Sequence, residues 1–168
     1  MPEIKIARGY SPGSIGRVTE MHAAYYHRHW NFGLFFEAKV AIEFSEFLKR
    51  YDRSRDSFWT ILVNDHVEGS IIIDGIDAEN KGAHLRWFII SEGFWGQGLG
   101  KRLINNAINF CRNRTYEKIY LWTFEGLDTA KQLYEKSGFK LVENQEGSQW
   151  GIRVNEQRYE CSLTTAFE

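Results

Sequence analysis

The 168-residue sequence predicts an α/β (α+β) fold, a mixed, largely antiparallel sheet of about seven strands flanked by four helices. Three observations lead there. Strand-like and helix-like stretches follow one another as β-α-α-β-β-β-α-β-α-β-β, which is neither a regular βα repeat nor two separate blocks. Leu85-Arg86-Trp87-Phe88-Ile89-Ile90 is a dense apolar run of strand length, ended by turn residues. Directly after it Gly96, Gly98 and Gly100 alternate. Leu99, Leu103, Ile104, Ala107, Ile108 and Cys111 then mark one face of a helix.

The remaining elements follow in order. Ile4-Lys5-Ile6-Ala7 alternates as a first strand. Ser11-Pro12-Gly13-Ser14 reads as a loop and helix start, with Ser11 as N-cap and Pro12 at the first helical position. Ile15, Val18, Met21, His22, Tyr25 and Tyr26 trace a helical face to about Trp30, and Asn31-Phe32-Gly33 ends it. A second helix from about Leu34 to Tyr51 turns Phe36, Val40, Ala41, Phe44, Phe47 and Leu48 inward. Phe58–Val63 and Val67–Ile73 read as a hairpin across Asn64-Asp65, with a bulge at Gly69. Asn80-Lys81-Gly82 turns into the central strand. Past the central helix, Lys118–Phe124 is a strand. Asp128 to Lys136 is a helix with Asp128 as N-cap and Gly138 as its stop. Phe139–Val142 opens a closing hairpin whose second strand is Arg158 to Leu163. No internal repeat, linker or low-complexity tract interrupts the chain, so one domain over residues 1–168 is expected.

Composition narrows the function classes. Basic and acidic residues number 21 and 22, so no charge excess favours a nucleic-acid or membrane-surface partner. No apolar run approaches the length of a membrane span, and no signal peptide is evident, which points to the cytoplasm. Cys111 and Cys161 form neither a disulfide framework nor a metal-spaced cluster. His22, His27 and His29 do not share one helical face, so no metal site is expected. Six Trp, eight Tyr and twelve Phe suit either a bulky core or an aromatic-lined pocket.

The glycine-rich stretch carries the chemistry. A helix N-terminus lined by glycine presents several N–H groups that no helical carbonyl satisfies, at the positive end of the helix dipole. Such a place suits phosphate, and the missing Cβ atoms let a ligand approach the backbone. The spacing is not that of a Walker A loop, because Trp95 stands at its first glycine and Arg102 at its Ser/Thr. Nor is it the G-x-G-x-x-G of a dinucleotide loop, because here the pattern is G-x-G-x-G. Without a ligand, the same residues would serve as a plain glycine-rich turn.

Trp95-Gly96-Gln97-Gly98-Leu99-Gly100 resembles the [RQ]-x-x-G-x-[GA] signature of the GNAT N-acetyltransferases, with Trp95 in place of the opening Arg or Gln. Ala130-Lys131-Gln132-Leu133-Tyr134-Glu135-Lys136-Ser137-Gly138-Phe139 is similar throughout to that family's second signature, A-x-x-L-Y-E-K-x-G-F. Both lie in the matching elements, and the predicted element order is that of the GNAT fold. Gln149-Trp150-Gly151 and Glu156-Gln157-Arg158-Tyr159-Glu160 also resemble the acetyltransferase domains fused to MarR-type regulators.

The resemblance implies an enzyme that uses acetyl-CoA as acyl donor and acetylates a primary amine by direct attack in a ternary complex. It implies that the fourth and fifth strands splay apart and that the backbone of Phe88, Ile89 and Ile90 pairs with the pantetheine arm. The stretch Trp95, Gly96, Gln97, Gly98, Leu99, Gly100 and Lys101 would hold the pyrophosphate, with Arg102 reaching a phosphate from the helix. The amides would carry that binding while the Trp95 indole only packs. Tyr134 would contact the cofactor and donate a proton to the leaving thiolate. His84 would be the general base, its ordinary pKa near 6.5 suiting the task, with Glu125 and Asp74 in reserve. Leu127 stands where the family often has a pantetheine-binding asparagine. Tyr26, Trp30 and Glu37 are the candidate acceptor residues, for a small-molecule, peptide or protein amine. Homodimers are common in the family, and no dimer interface is legible here. A different class of function, an acyl-CoA-binding sensor without turnover, is the alternative that Trp95 and Leu127 suggest.

Overall fold

The computed structural model describes residues 2–164. Along the chain come β1 (Ile4–Arg8), α1 (Ser14–Trp30), α2 (Leu34–Lys49), β2 (Ser57–Val63), β3 (His66–Asp74) and β4 (Ala83–Ile90). A 3-10 turn at Glu92–Phe94 leads into α3 (Leu99–Asn113), then β5 (Lys118–Phe124), α4 (Asp128–Lys136), β6 (Lys140–Gly147) and β7 (Val154–Ser162). The strands form one sheet in the order β1-β2-β3-β4-β5-β7-β6, antiparallel except between β4 and β5. The α/β prediction of seven strands and four helices therefore holds.

Both sheet faces are covered. On one, Leu103, Ile104, Ala107 and Cys111 of α3 and Tyr134 near the end of α4 pack against Ile71, Ile73, Ile119, Leu121 and Tyr159. On the other, Val18 and Met21 of α1 and Phe44 and Phe47 of α2 pack on Phe58 and Ile72. A third cluster, Phe32, Phe36, Val40 and Phe124, lies beyond it toward the end of β5. Burying one such side chain stabilises by roughly 1.5–3 kcal/mol, so these clusters dominate the fold.

Local chemistry sets the turns. Asn64 and Asp65 sit at φ 50° and 65°, the left-handed pair of a two-residue hairpin turn, which these side chains tolerate. The β2–β3 register jumps from Ile61↔Gly69 to Leu62↔Val67, leaving Glu68 as the extra residue beside Gly69. Helix α4 ends in a Schellman motif. The Gly138 N–H (φ +101°) bonds the Glu135 carbonyl, and the Phe139 N–H bonds that of Tyr134.

Two predicted caps are corrected. Gly13, at φ +95°, reverses the chain after Pro12, so α1 begins at Ser14 and Ser11 does not cap it. Instead the Ser14 hydroxyl donates to the Ser11 carbonyl at 2.7 Å. Leu127 occupies the cap position of α4, and Asp128 is its first helical residue, where the carboxylate complements the helix dipole without a capping bond.

The feature that positions the site was not legible as a sequence pattern. Between Ser70↔Ile89 and Ile72↔Arg86 the β3–β4 register slips, so Trp87 and Phe88 together oppose Ile71. Trp87 takes φ +46°, a conformation costing an L-residue roughly 1–2 kcal/mol. The Ser70 hydroxyl holds the Trp87 carbonyl at 2.6 Å, and Phe44 packs on the indole at 5.1 Å. The bulge shifts the alternation of β4, so Phe88 and Ile90 join Leu85 on the α3 side.

Candidate active site

β4 and β5 pair only at Ala83↔Ile119 and His84↔Tyr120. Beyond those two positions the strands part, as the resemblance implied, and a cleft of about 910 Å³ opens through the sheet. Strand alternation identifies the groups that face the gap. The Ser91 N–H bonds the Glu68 carbonyl at 2.9 Å, toward β3, so the backbone of Ile90, and likewise of Phe88, faces away into the gap.

The glycine-rich loop stands at one end of this cleft. Gly96 and Gly98 lie at φ +79° and +76°, and no atom lies within 4 Å of where a Cβ would stand on either. Gly100 has a different task, because a Cβ there would be 3.1 Å from Leu133 Cδ2, where α3 meets α4. The first loop-side amide with a partner is Arg102, bonded to the Gly98 carbonyl. Among the described residues, no protein acceptor takes the N–H of Gly96, Gln97, Gly98, Leu99, Gly100 or Lys101. Six consecutive donors without a protein acceptor thus lie at the positive end of α3, a cradle that fits a pyrophosphate. Lys101 lines the cleft beside them, whereas Gln97 and Arg102 are exposed outside its wall.

Trp95 does more than pack. Its indole N–H donates to the Ile90 carbonyl at 2.8 Å, occupying one gap-facing acceptor of β4, and its ring lies 6.0 Å from Tyr25. It remains 48% exposed.

Tyr134 reaches the cleft from α4 with its ring against Phe88, Phe139 and Tyr159. Its hydroxyl makes no protein hydrogen bond among the described residues. Burial, reinforced by Tyr26 and Tyr159, raises its pKa. Tyr26 on α1 lines the opposite wall with Trp30, and both pack on Phe124. The outer edge of the Trp30 ring abuts Gly126, where a Cβ would stand 2.3 Å from it. Trp150, from the loop between β6 and β7, closes on Phe124 at 5.7 Å.

Among the imidazoles that line the cleft, burial lowers the basicity of His22 and His84. His84 stacks on Tyr120 at 4.4 Å; desolvation, helped by Arg86 and Arg158, lowers its pKa to about 3 against a weaker pull from Asp74. An imidazole so depressed does not fit the expectation of a base titrating near 6.5. His22, which the sequence offered as part of an amphipathic face and not as a metal ligand, is 5% exposed, and desolvation lowers its pKa to about 4. Its Nδ1 lies 2.8 Å from the Val18 carbonyl, which only accepts, so Nδ1 carries the proton and Nε2 keeps a free lone pair.

Other expected residues are placed elsewhere. Glu37 stands exposed on the first turn of α2, outside the cleft wall. The carboxylates that do line it are Glu43, further along α2 and bonded by Lys39 and Arg86, and Asp128 at the start of α4. Asp74 is 4% exposed and held by two bonds from Arg50, which keep its pKa below the ordinary value despite burial. Glu125 accepts from Asn155 at 2.9 Å, outside the cleft wall. Sequence reasoning missed Arg86, Lys39 and Glu43; an arginine inside an otherwise apolar strand was the available signal.

Comparison with known proteins agrees with this geometry. The profile of the acetyltransferase (GNAT) family matches residues 17–139. A GNAT-family acetyltransferase from Staphylococcus aureus Mu50 has a TM-score of 0.76 at 20% identity, over 96% of this chain and 100% of that one. The protein yncA of Salmonella typhimurium, solved with its cofactor acetyl-CoA, has a TM-score of 0.71 at 13% identity, over 97% and 95%. The ribosomal-protein-S18-alanine N-acetyltransferase of Escherichia coli has a TM-score of 0.70 at 15% identity, over 99% and 97%. The free amides of the loop, the parted strands and the profile match converge, and the chain belongs to the GNAT family of acetyltransferases.

Proposed function

We propose that this protein transfers acetyl from acetyl-CoA to a primary amine by direct attack within a ternary complex. The observation that carries the reading is the run of six unpartnered N–H groups from Gly96 to Lys101, opening onto the gap between β4 and β5. The amides hold the pyrophosphate, with Lys101 adding a charge. The gap-facing N–H groups of Phe88 and Ile90 hold the pantetheine side, one of them free to bond the acetyl oxygen as charge gathers there.

Transfer forms an N–C bond and breaks a C–S bond, so the amine loses a proton and the departing sulfur gains one. Tyr134 is assigned to the sulfur. Its raised pKa keeps the hydroxyl protonated across the working range, so it donates a hydrogen bond to developing thiolate charge. Full transfer to a thiolate, whose ordinary pKa is near 8.5, would run uphill. The final proton on sulfur therefore comes from solvent.

His22 and His84 are both uncharged at neutral pH and too weakly basic to store a proton. They act as hydrogen-bond acceptors along the cleft wall. The acceptor amine enters deprotonated, or loses its proton through water after attack.

The experiment is acceptor-dependent release of CoA thiol from acetyl-CoA across a panel of amines and peptides, with mass detection of the acetylated product. The reading predicts stoichiometric thiol release and N-acetylation for at least one acceptor class. Tight acetyl-CoA binding with no acceptor-dependent release from any of them would contradict it.

A further inference from the structure

The cleft wall away from the glycine loop carries a chain of alternating charges. Lys39 bonds Glu43 at 2.5 Å, and Arg86 bonds the other oxygen of Glu43. Arg86 also reaches Asp74 at 3.5 Å, and Arg50 bonds both oxygens of Asp74, at 3.0 and 2.7 Å. Three cations alternate with two carboxylates, leaving one positive charge in excess.

The donors and acceptors of this chain are unevenly engaged. Each carboxylate already serves two cations. Arg86 has five N–H donors and uses one at each terminal nitrogen, while Lys39 has three and uses one. Lys39, Glu43 and Arg86 line the cleft; Asp74 and Arg50 lie behind the wall. Arg86 is only 18% exposed, and its guanidinium is fixed over the Trp87 ring at 4.0 Å. The unmet demand at this end of the cleft is for an oxyanion, presented by side chains that do not have to be ordered to meet it.

We propose that the acceptor is a primary amine that also bears a carboxylate or a similar oxyanion, held by Lys39 and Arg86. Its body lies against the apolar wall of Trp30, Phe124 and Trp150. The potential at His84 agrees with this, since Arg86 and Arg158 outweigh Asp74 there. At this wall a polycationic acceptor meets surplus positive charge and carboxylates that are already doubly paired, which leaves Asp128, at the start of α4, as the other carboxylate lining the cleft. The inference rests on the acetyltransferase reading and names the substrate class for the same site.

The test uses matched pairs that differ by the carboxylate: phenylalanine with phenethylamine, tryptophan with tryptamine, and leucine with isoamylamine. Thiol release gives kcat/KM for each, in the wild type and in Lys39→Glu and Lys39→Arg, with the melting temperature as a folding control. One charge-assisted contact corresponds to roughly a tenfold or greater preference for the carboxylated partner. Lys39→Glu removes that preference and Lys39→Arg retains it. Equal or better turnover of the decarboxylated amines, or a preference unmoved by Lys39→Glu, overturns the proposal and leaves acetyl transfer standing. Thiol release from no amine of either kind, with a peptide of the wider panel acetylated, overturns this proposal alone, and release from no acceptor of the whole panel overturns both.

Discussion

Replacing Gly98 by alanine separates donor binding from folding, because the two costs come from different atoms. In the free protein the new methyl meets nothing within 4 Å, so the folding cost is backbone strain alone. At φ +76° that strain is roughly 1–2 kcal/mol, which lowers Tm by about 2–8 °C in a domain of this size. Gly98 lines the cleft, so on the proposed assignment the methyl stands among the amides that would meet the ligand. Losing one amide–phosphate bond there costs roughly 1.5–3 kcal/mol, which weakens acetyl-CoA binding about 10- to 100-fold. Gly9→Ala is the control. Gly9 lies at φ +100° with nothing within 4 Å of its Cβ position, so it carries the same kind of strain, roughly 1–2 kcal/mol, beside the edge strand β1 and three strands from β4. Calorimetric titration with acetyl-CoA, beside thermal melts without ligand, reads both quantities for each variant. Unchanged acetyl-CoA affinity in Gly98→Ala, or an equal loss in Gly9→Ala, would refute the assignment of the loop.

Tyr134→Phe should lower kcat by about 10- to 100-fold while leaving the KM for acetyl-CoA near its wild-type value, as expected when only the bond to the leaving sulfur is lost. The pH dependence of kcat/KM for the acceptor should rise toward the pKa of the amine itself, with no bend near 6.5, because His22 and His84 stay neutral there. An acid limb centred near 6.5 that disappears in His84→Ala would restore His84 as the base. Stability should fall as pH drops from 6.5 toward 4. Over that window the unfolded chain takes up protons at both imidazoles and the fold refuses them, with a limiting slope of about 1.4 kcal/mol per pH unit for His22. Urea midpoints at several pH values, compared with His22→Gln, isolate that share. Gly126→Ala should displace the Trp30 ring and raise the acceptor KM more than the acetyl-CoA KM.

Much of the fold was legible in the sequence because local signals and burial agree. The hairpin at Asn64-Asp65, the period of α3 and the Gly138 stop each have one physical solution, and each appears where expected. The N-termini of α1 and α4 were misread because Ser11 and Asp128 are good capping residues in isolation, while Gly13 and Leu127 hold the cap positions. The bulge at Trp87 could not be read, since a tryptophan at positive φ has no propensity signal and is held there by Ser70 and Phe44. The same limit hid the acceptor wall. Lys39, Glu43 and Arg86 come together only because α2 crosses β4, and the depressed basicity of His84 depends on cations that the fold places beside it.

Protection of individual backbone amides on adding acetyl-CoA tests the central claim most directly, since it reads the donors that the account rests on. Residue-resolved hydrogen exchange should show strong new protection at 96–101 and at Phe88 and Ile90, and little change at Gly9 or along β6. Tight binding of acetyl-CoA with exchange at 96–101 unaltered would place the donor elsewhere and contradict the account.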